Sequence, residues 1–185
     1  MKQIMALTIG AACLTLTACG GEKRTEPAQD SVETAPIPTG PSPVEDELTR
    51  HYADTIRNRA YDITVRRYPD NSLPTVKDEL GQDFLDNSVE VTITRDGTQF
   101  FSKTFRKEAF EDYLSKSESA TSVLLGMAYD EEMSTDKIVC LAAQVGHPGV
   151  GEGPAFTVEI PISDGPYSIV RDTRQDTNAE EIVAE

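Results

Sequence analysis

The chain has 185 residues, with 32 acidic against 17 basic side chains and a formal net charge of −15. Such a charge repels nucleic acid and anionic headgroups alike, so neither is an expected direct partner of the protein surface. Hydrophobic residues make up 38 % of the chain, which suits a packed domain rather than an unfolded one.

The chain opens with Lys2, then an apolar run from Ile4 to Leu16, then small residues ending in Leu16-Thr17-Ala18-Cys19-Gly20. That is the three-part layout of a secretory signal. The run is shorter than the roughly 20 apolar residues that span a bilayer. The Leu-x-Ala-Cys ending resembles the lipobox of bacterial lipoproteins. The resemblance implies cleavage before Cys19, a diacylglycerol thioether on its sulfur and an acylated amino terminus. Two or more acyl chains give stable anchoring without any hydrophobic protein surface. Residues 1–18 are therefore expected to be a signal peptide and Cys19 the site of lipid attachment. Gly20 and Gly21 follow, with no aspartate and no acidic run behind the cysteine. The expected address is the outer membrane, facing the periplasm, with surface display as the alternative.

Of three cysteines, Cys13 lies in the signal and Cys19 carries lipid, which leaves Cys140 alone. No internal disulfide is then expected, although the compartment permits one.

Residues 19–46 read as a tether. Pro36-Ile37-Pro38-Thr39-Gly40-Pro41-Ser42-Pro43 favours extended polyproline conformation, at about 3.1 Å per residue. A spacer is the simpler reading than a proline-rich recognition motif at Pro38 and Pro41. Residues 173–185 read as a polar, acidic, frayed tail.

Between these ends, residues 47–172 form one domain of ordinary size. Leu48, Tyr52 and Ile56 recur every fourth residue and suggest a short opening helix. Tyr61, Ile63 and Val65 alternate, which predicts a strand over 60–68. Pro69 to Asn87 carries Pro69, Pro74 and Gly81 among charges and reads as a long loop. Val89, Val91 and Ile93 alternate, and Asp96-Gly97 then signals a hairpin. A two-residue turn sets Ile93 opposite Phe100 and Glu90 opposite Lys103; a longer turn aligns Ile93 with Phe101 instead.

Phe110, Tyr113 and Leu114 share one face of a predicted helix over 107–115. Residues 122–129 and 138–145 are apolar on both alternations, as central strands covered on both faces are. Phe156, Val158, Ile160 and Ile162 form another strand, and Pro161 points to an edge or a bulge. Residues 167–170 supply the last. The expected class is mainly β: an antiparallel sandwich or barrel-like sheet of about seven strands with one or two short helices.

No catalytic constellation stands out, and no cofactor or metal is expected. His51 and His147 are the only histidines, in no zinc-ligand spacing. His51 reads as a solvated side chain. Cys140 lies in the most apolar strand, where a thiol behaves as a small buried hydrophobe. Asp78, Glu79, Asp83 and Asp86, and again Asp130, Glu131, Glu132 and Asp136, lack the alternate-position ligands of a calcium loop and read as solvated turns.

The loop Gly146-His147-Pro148-Gly149-Val150-Gly151-Glu152-Gly153-Pro154 has four glycines that allow close backbone approach to an anion or peptide. Nothing in it matches a phosphate loop or a dinucleotide fingerprint. The simpler reading is a connection that uses glycine for turn geometry. His147, Gly149, Gly151 and Glu152 are the candidate ligand-binding residues.

Leu73-Pro74-Thr75-Val76-Lys77-Asp78-Glu79-Leu80-Gly81, Asp86-Asn87, Arg95-Asp96-Gly97 and Lys103-Thr104-Phe105-Arg106-Lys107 resemble bacterial lipoproteins of domain-of-unknown-function family 4738. The resemblance spans roughly Ile56 to Val170. It implies a compartment and a size class, and carries no activity or catalytic residue with it.

The sequence thus supports a non-enzymatic envelope lipoprotein that binds another envelope component. The alternatives are a small-ligand or glycan binder using the 146–154 loop and, more remotely, a periplasmic hydrolase with a carboxylate-based site. Cys19→Ala is expected to abolish acyl labelling and release the protein from membranes; continued retention would contradict the anchor.

Overall fold

A computed structural model describes residues 40–173. The expected signal peptide, Cys19, most of the expected tether and nearly all of the expected acidic tail lie outside the described residues. Those described form eleven strands and two short helices.

Three strands build the first part of a four-stranded sheet: β2 (Leu48–Ile56), β3 (Arg59–Pro69) and β6 (Asn87–Arg95). With β7 (Thr98–Phe105) they lie in the order β2-β3-β6-β7, every neighbour antiparallel. The second sheet holds β8 (Val123–Asp130), β9 (Ile138–Gly146), β10 (Ala155–Pro161) and β11 (Ser168–Asp172), in the order β11-β10-β9-β8. Neither sheet closes on itself, so of the two expected shapes the sandwich is the one formed. A small third sheet joins β1 (Ser42–Pro43), β4 (Val76–Lys77) and β5 (Asp83–Leu85) in the order β1-β5-β4. All seven strands expected from sequence are present.

The opening helix is not. Leu48, Tyr52 and Ile56 lie on β2, hydrogen-bonded along β3. A four-residue spacing is a multiple of two, so it puts side chains on one face of a strand as well as a helix. Without an apolar residue at the third position, the spacing does not distinguish them. The β2–β3 turn is Arg57-Asn58, both at positive φ (52° and 58°). Positive φ at both central residues is the two-residue hairpin geometry that matches strand twist.

Asp96 and Gly97 also form a two-residue turn, at φ 51° and 77°. It pairs Arg95 with Thr98 and Thr94 with Gln99, but a bulge then shifts the register. Ile93 therefore faces Phe101 rather than Phe100, and Glu90 faces Thr104 rather than Lys103. Freed from that pairing, Glu90 binds Arg66 at 3.0 Å, and Phe100 lies under the Arg95 guanidinium at 4.6 Å.

Other expectations need smaller corrections. The 69–87 stretch is not all loop, since β4 and β5 fall within it. Ser42 and Pro43, read as tether, pair in parallel with Phe84 and Leu85, so the last residues before β2 form a strap on the domain. The predicted 107–115 helix is a 3-10 helix (Lys107–Tyr113), followed by α1 (Lys116–Thr121) with a Ser115/Glu118 capping box. β9 is central, but β8 is an edge strand. Pro161 marks no edge strand: β10 lies between β9 and β11, and Pro161 sits past the last β10–β11 pair, where no donor is needed.

The two four-stranded sheets share one core. Ile63, Val65, Val91 and Ile93 from the first meet Leu124, Leu141, Val158 and Ile160 from the second. Each such side chain contributes roughly 1.5–3 kcal/mol on burial. Phe110 of the 3-10 helix is fully buried against Phe156, with ring centroids 5.0 Å apart.

A buried polar group fastens one corner of this sandwich. Asp86 Oδ1 accepts the amides of Asn87 and Leu124, both at 2.8 Å, and Asn87 Nδ2 donates to the Leu124 carbonyl at 2.8 Å. Lys107 Nζ lies 3.4 Å from Asp86 Oδ2 and donates to the Ser122 carbonyl at 2.7 Å. These contacts tie the start of β6 and the 3-10 helix to the start of β8. Asp86 is buried rather than part of a solvated acidic turn.

Burial pushes the Asp86 carboxyl above its usual 3.8, against the pull of the Leu124 amide and of Lys107. With the folded pKa raised, the native state binds the extra proton, and this group's contribution to stability falls as pH rises through that window. Lys107→Met leaves the carboxylate buried and uncompensated. In urea melts it is expected to lose about 3 kcal/mol at neutral pH. The loss should shrink as pH falls toward the ordinary carboxyl range and Asp86 takes up its proton. A loss that stays constant with pH would contradict this account.

Candidate functional site: the cleft at Arg67

A cleft of about 420 Å³ opens where β2 and β3 meet β8 and β9. Val65, Leu125 and Met127 give it apolar walls, and Glu45, Arg50 and Arg67 give it charge. Its geometry begins with strand alternation. Tyr61, Ile63 and Val65 point into the core from β3, and the next residue on that face is Arg67.

Arg67 is 9 % exposed. Its Nη1 donates to the Leu125 carbonyl at 3.1 Å and to the Glu45 carboxylate, and its Nη2 donates to the Asp46 carbonyl at 2.9 Å. Two of those partners come from the strap. The third exists because β8 bulges: the β8–β9 register shifts between Leu124 and Gly126. A bulge leaves a residue unpaired and re-aims its groups, and the Leu125 carbonyl is taken by Arg67. The Nε of Arg67 is buried without a hydrogen-bond partner. Arg66, one residue earlier, points the other way and binds Glu47 and Glu90.

The residues singled out in the glycine loop do not converge on this cleft. Gly151 lines it, and also lines a second cleft of about 650 Å³ together with Glu118, Glu152 and Arg171. His147 and Gly149 line neither. His147 Nδ1 is 3.0 Å from the Thr121 carbonyl, tying the loop to the end of α1. Gly146 and Gly153 serve close approach. A Cβ on Gly146 would collide with the Glu152 carbonyl, and one on Gly153 with the Val145 carbonyl. The loop closes through Val145 N to Pro154 O at 3.0 Å.

Other candidates are spent on structure. Cys140 is fully buried, its thiol donates to the Met133 carbonyl at 3.3 Å, and burial pushes its pKa up to about 11. A thiol held protonated is a poor nucleophile. Burial also pushes Tyr129 up to about 12, helped by its hydrogen bond to Asp54. His51 is exposed, with Nδ1 3.1 Å from Thr64 Oγ1. Of the acidic groups, Asp78 accepts the amides of Leu80 and Gln82 in a tight turn, and Asp83 pairs with Lys77 at 2.8 Å.

The family model of the Domain of unknown function (DUF4738) matches residues 38–165. The chain belongs to that family. No curated protein matches it. Within this DUF4738 domain, the residues that carry the resemblance fasten the fold. Asp86, Asn87 and Lys107 form the buried corner. Asp96 closes its hairpin onto β3, accepting the Ala60 amide at 3.0 Å. Arg106 lies 3.5 Å from Asp70, whose carboxyl is held down to about 2, chiefly by the hydroxyls of Ser72 and Ser88.

The sequence reading missed Arg67. Its signal was available: an arginine on the inward parity of an otherwise apolar strand.

Proposed function

We propose that the protein is a membrane-anchored envelope lipoprotein whose β domain is a non-enzymatic binding module, with the Arg67 cleft as its binding face. The anchor rests on Leu16-Thr17-Ala18-Cys19. The binding role rests on one observation: an open cleft in which apolar walls meet a nearly buried guanidinium whose carboxylate partner is itself exposed. Apolar pockets with a few convergent polar groups are the usual form of ligand sites. A domain held by a tether searches for its partner at an effective concentration set by the tether's reach. Gly151 at the cleft wall supports a second reading, recognition of a small ligand or glycan with help from the glycine loop.

A photo-crosslinking residue placed at Ala142 of the anchored chain tests the binding face in intact cells. Ala142 lines the cleft and is exposed. Leu80, which is 93 % exposed, serves as the control outside the cleft. A discrete adduct from position 142 and none from position 80 is the expected result. A third probe at Glu152 that alone gives an adduct would contradict the cleft and move the site to the glycine loop. No adduct from 142, or the same adduct from 80, would contradict the proposal.

A further inference from the structure

In a strongly acidic chain, the cleft gathers two guanidiniums, Arg50 and Arg67, against the single carboxylate of Glu45. Arg67 is nearly buried and its Nε lacks an acceptor. Nε is sealed from the cleft, so the donor open to exchange is Nη1, which holds Glu45. Its charged partner is poorly held: the Glu45 side chain is 62 % exposed, against 11 % for Arg67. Ion pairs with one end in water contribute little, about 0–1 kcal/mol. Glu45 also sits on the strap, outside both four-stranded sheets. Ser42, Pro43 and the Asp46 carbonyl hold the strap backbone, so only the exposed Glu45 side chain has to turn aside to release the guanidinium.

We infer that the cleft is a binding site for a small aliphatic carboxylate. The anionic end replaces Glu45 on Arg67, and the apolar body lies along Val65, Leu125 and Met127. Arg50 supplies a second positive charge at the exposed side. The inference deepens the proposed binding role and rests on the same cleft. At about 420 Å³ the space falls at the small end of ligand pockets, roughly 300–1,000 Å³, so the body is a few carbons long. Glu45 then acts as a built-in competitor: it keeps Arg67 paired when no ligand is present and sets the affinity at which one enters.

The test is calorimetric titration of the full chain in lipid nanodiscs, with empty nanodiscs subtracted. The probes are hexanoate and hexanamide, which share an alkyl body and differ in charge. Hexanoate is expected to bind at least about tenfold more tightly than hexanamide, a difference of about 1.4 kcal/mol. Glu45→Gln removes the competing charge and should tighten hexanoate by up to about fivefold, leaving hexanamide unmoved. Arg67→Gln risks releasing the strap and the Leu125 carbonyl, so the exposed Arg50→Gln is the second variant, and it should weaken hexanoate selectively. Equal binding of the two probes, no binding of either, or hexanoate affinity indifferent to Glu45→Gln would overturn the carboxylate assignment. Those results leave the cleft itself standing, because the crosslink from position 142 reports on it separately.

Discussion

The buried contact between Asp86 and the start of β8 is the constraint on which the sandwich depends. Two open four-stranded sheets can slide over each other while still burying apolar surface, because the hydrophobic effect has no direction. Hydrogen bonds do have direction. Asp86 and Asn87 hold both the amide and the carbonyl of Leu124, and Lys107 holds Ser122 next door. A group of this kind adds little net stability against an apolar replacement, yet breaking one member is costly. Its role here is registration: it sets where β8 begins relative to β6.

The cleft follows from that registration. With its start fixed, β8 runs past β3 as an edge strand, and the bulge after Leu124 turns the Leu125 carbonyl toward Arg67. Arg67 in turn gathers Glu45 and Asp46 and so fixes the strap ahead of β2. An edge strand is a surface on which foreign strands pair. Here β8 is occupied at its start by Asn87 and at its bulge by Arg67, which leaves an open cleft rather than a bare edge. The contacts that seat the second sheet thereby bear on the shape of the cleft, and Arg67 within it holds the strap ahead of β2.

Much of the fold was legible in the sequence because period-two alternation is a local signal. Tyr61-Ile63-Val65, Val89-Val91-Ile93 and Phe156-Val158-Ile160 each identify a strand and its inward face. The Asp96-Gly97 turn was readable too, since only certain residues accept positive φ. The bulge between Ile93 and Thr94, which decided between the two registers left open, was not readable, because a bulge carries no periodic signal. The β2 strand was misread because Leu48, Tyr52 and Ile56 satisfy a helix and a strand equally. β1, β4 and β5 are too short to carry any periodicity. Asp86 was hidden among other acids: local composition makes it one carboxylate in a charged stretch, and only the fold buries it. The candidate site suffered in the same way. Glycines drew attention to residues 146–154, where Gly146 and Gly153 serve close backbone packing, while Arg67 was passed over beside Arg66.

If the Asp86 corner registers the two sheets, the Leu124 amide is among the last in the domain to open. Native-state hydrogen exchange at that amide measures this directly. Its opening free energy should equal that of global unfolding by denaturant, since no local fluctuation frees it. Exchange at Leu124 as fast as at the exposed Gly149 amide of the glycine loop would contradict it, and would mean that the sheets are held by their apolar faces alone.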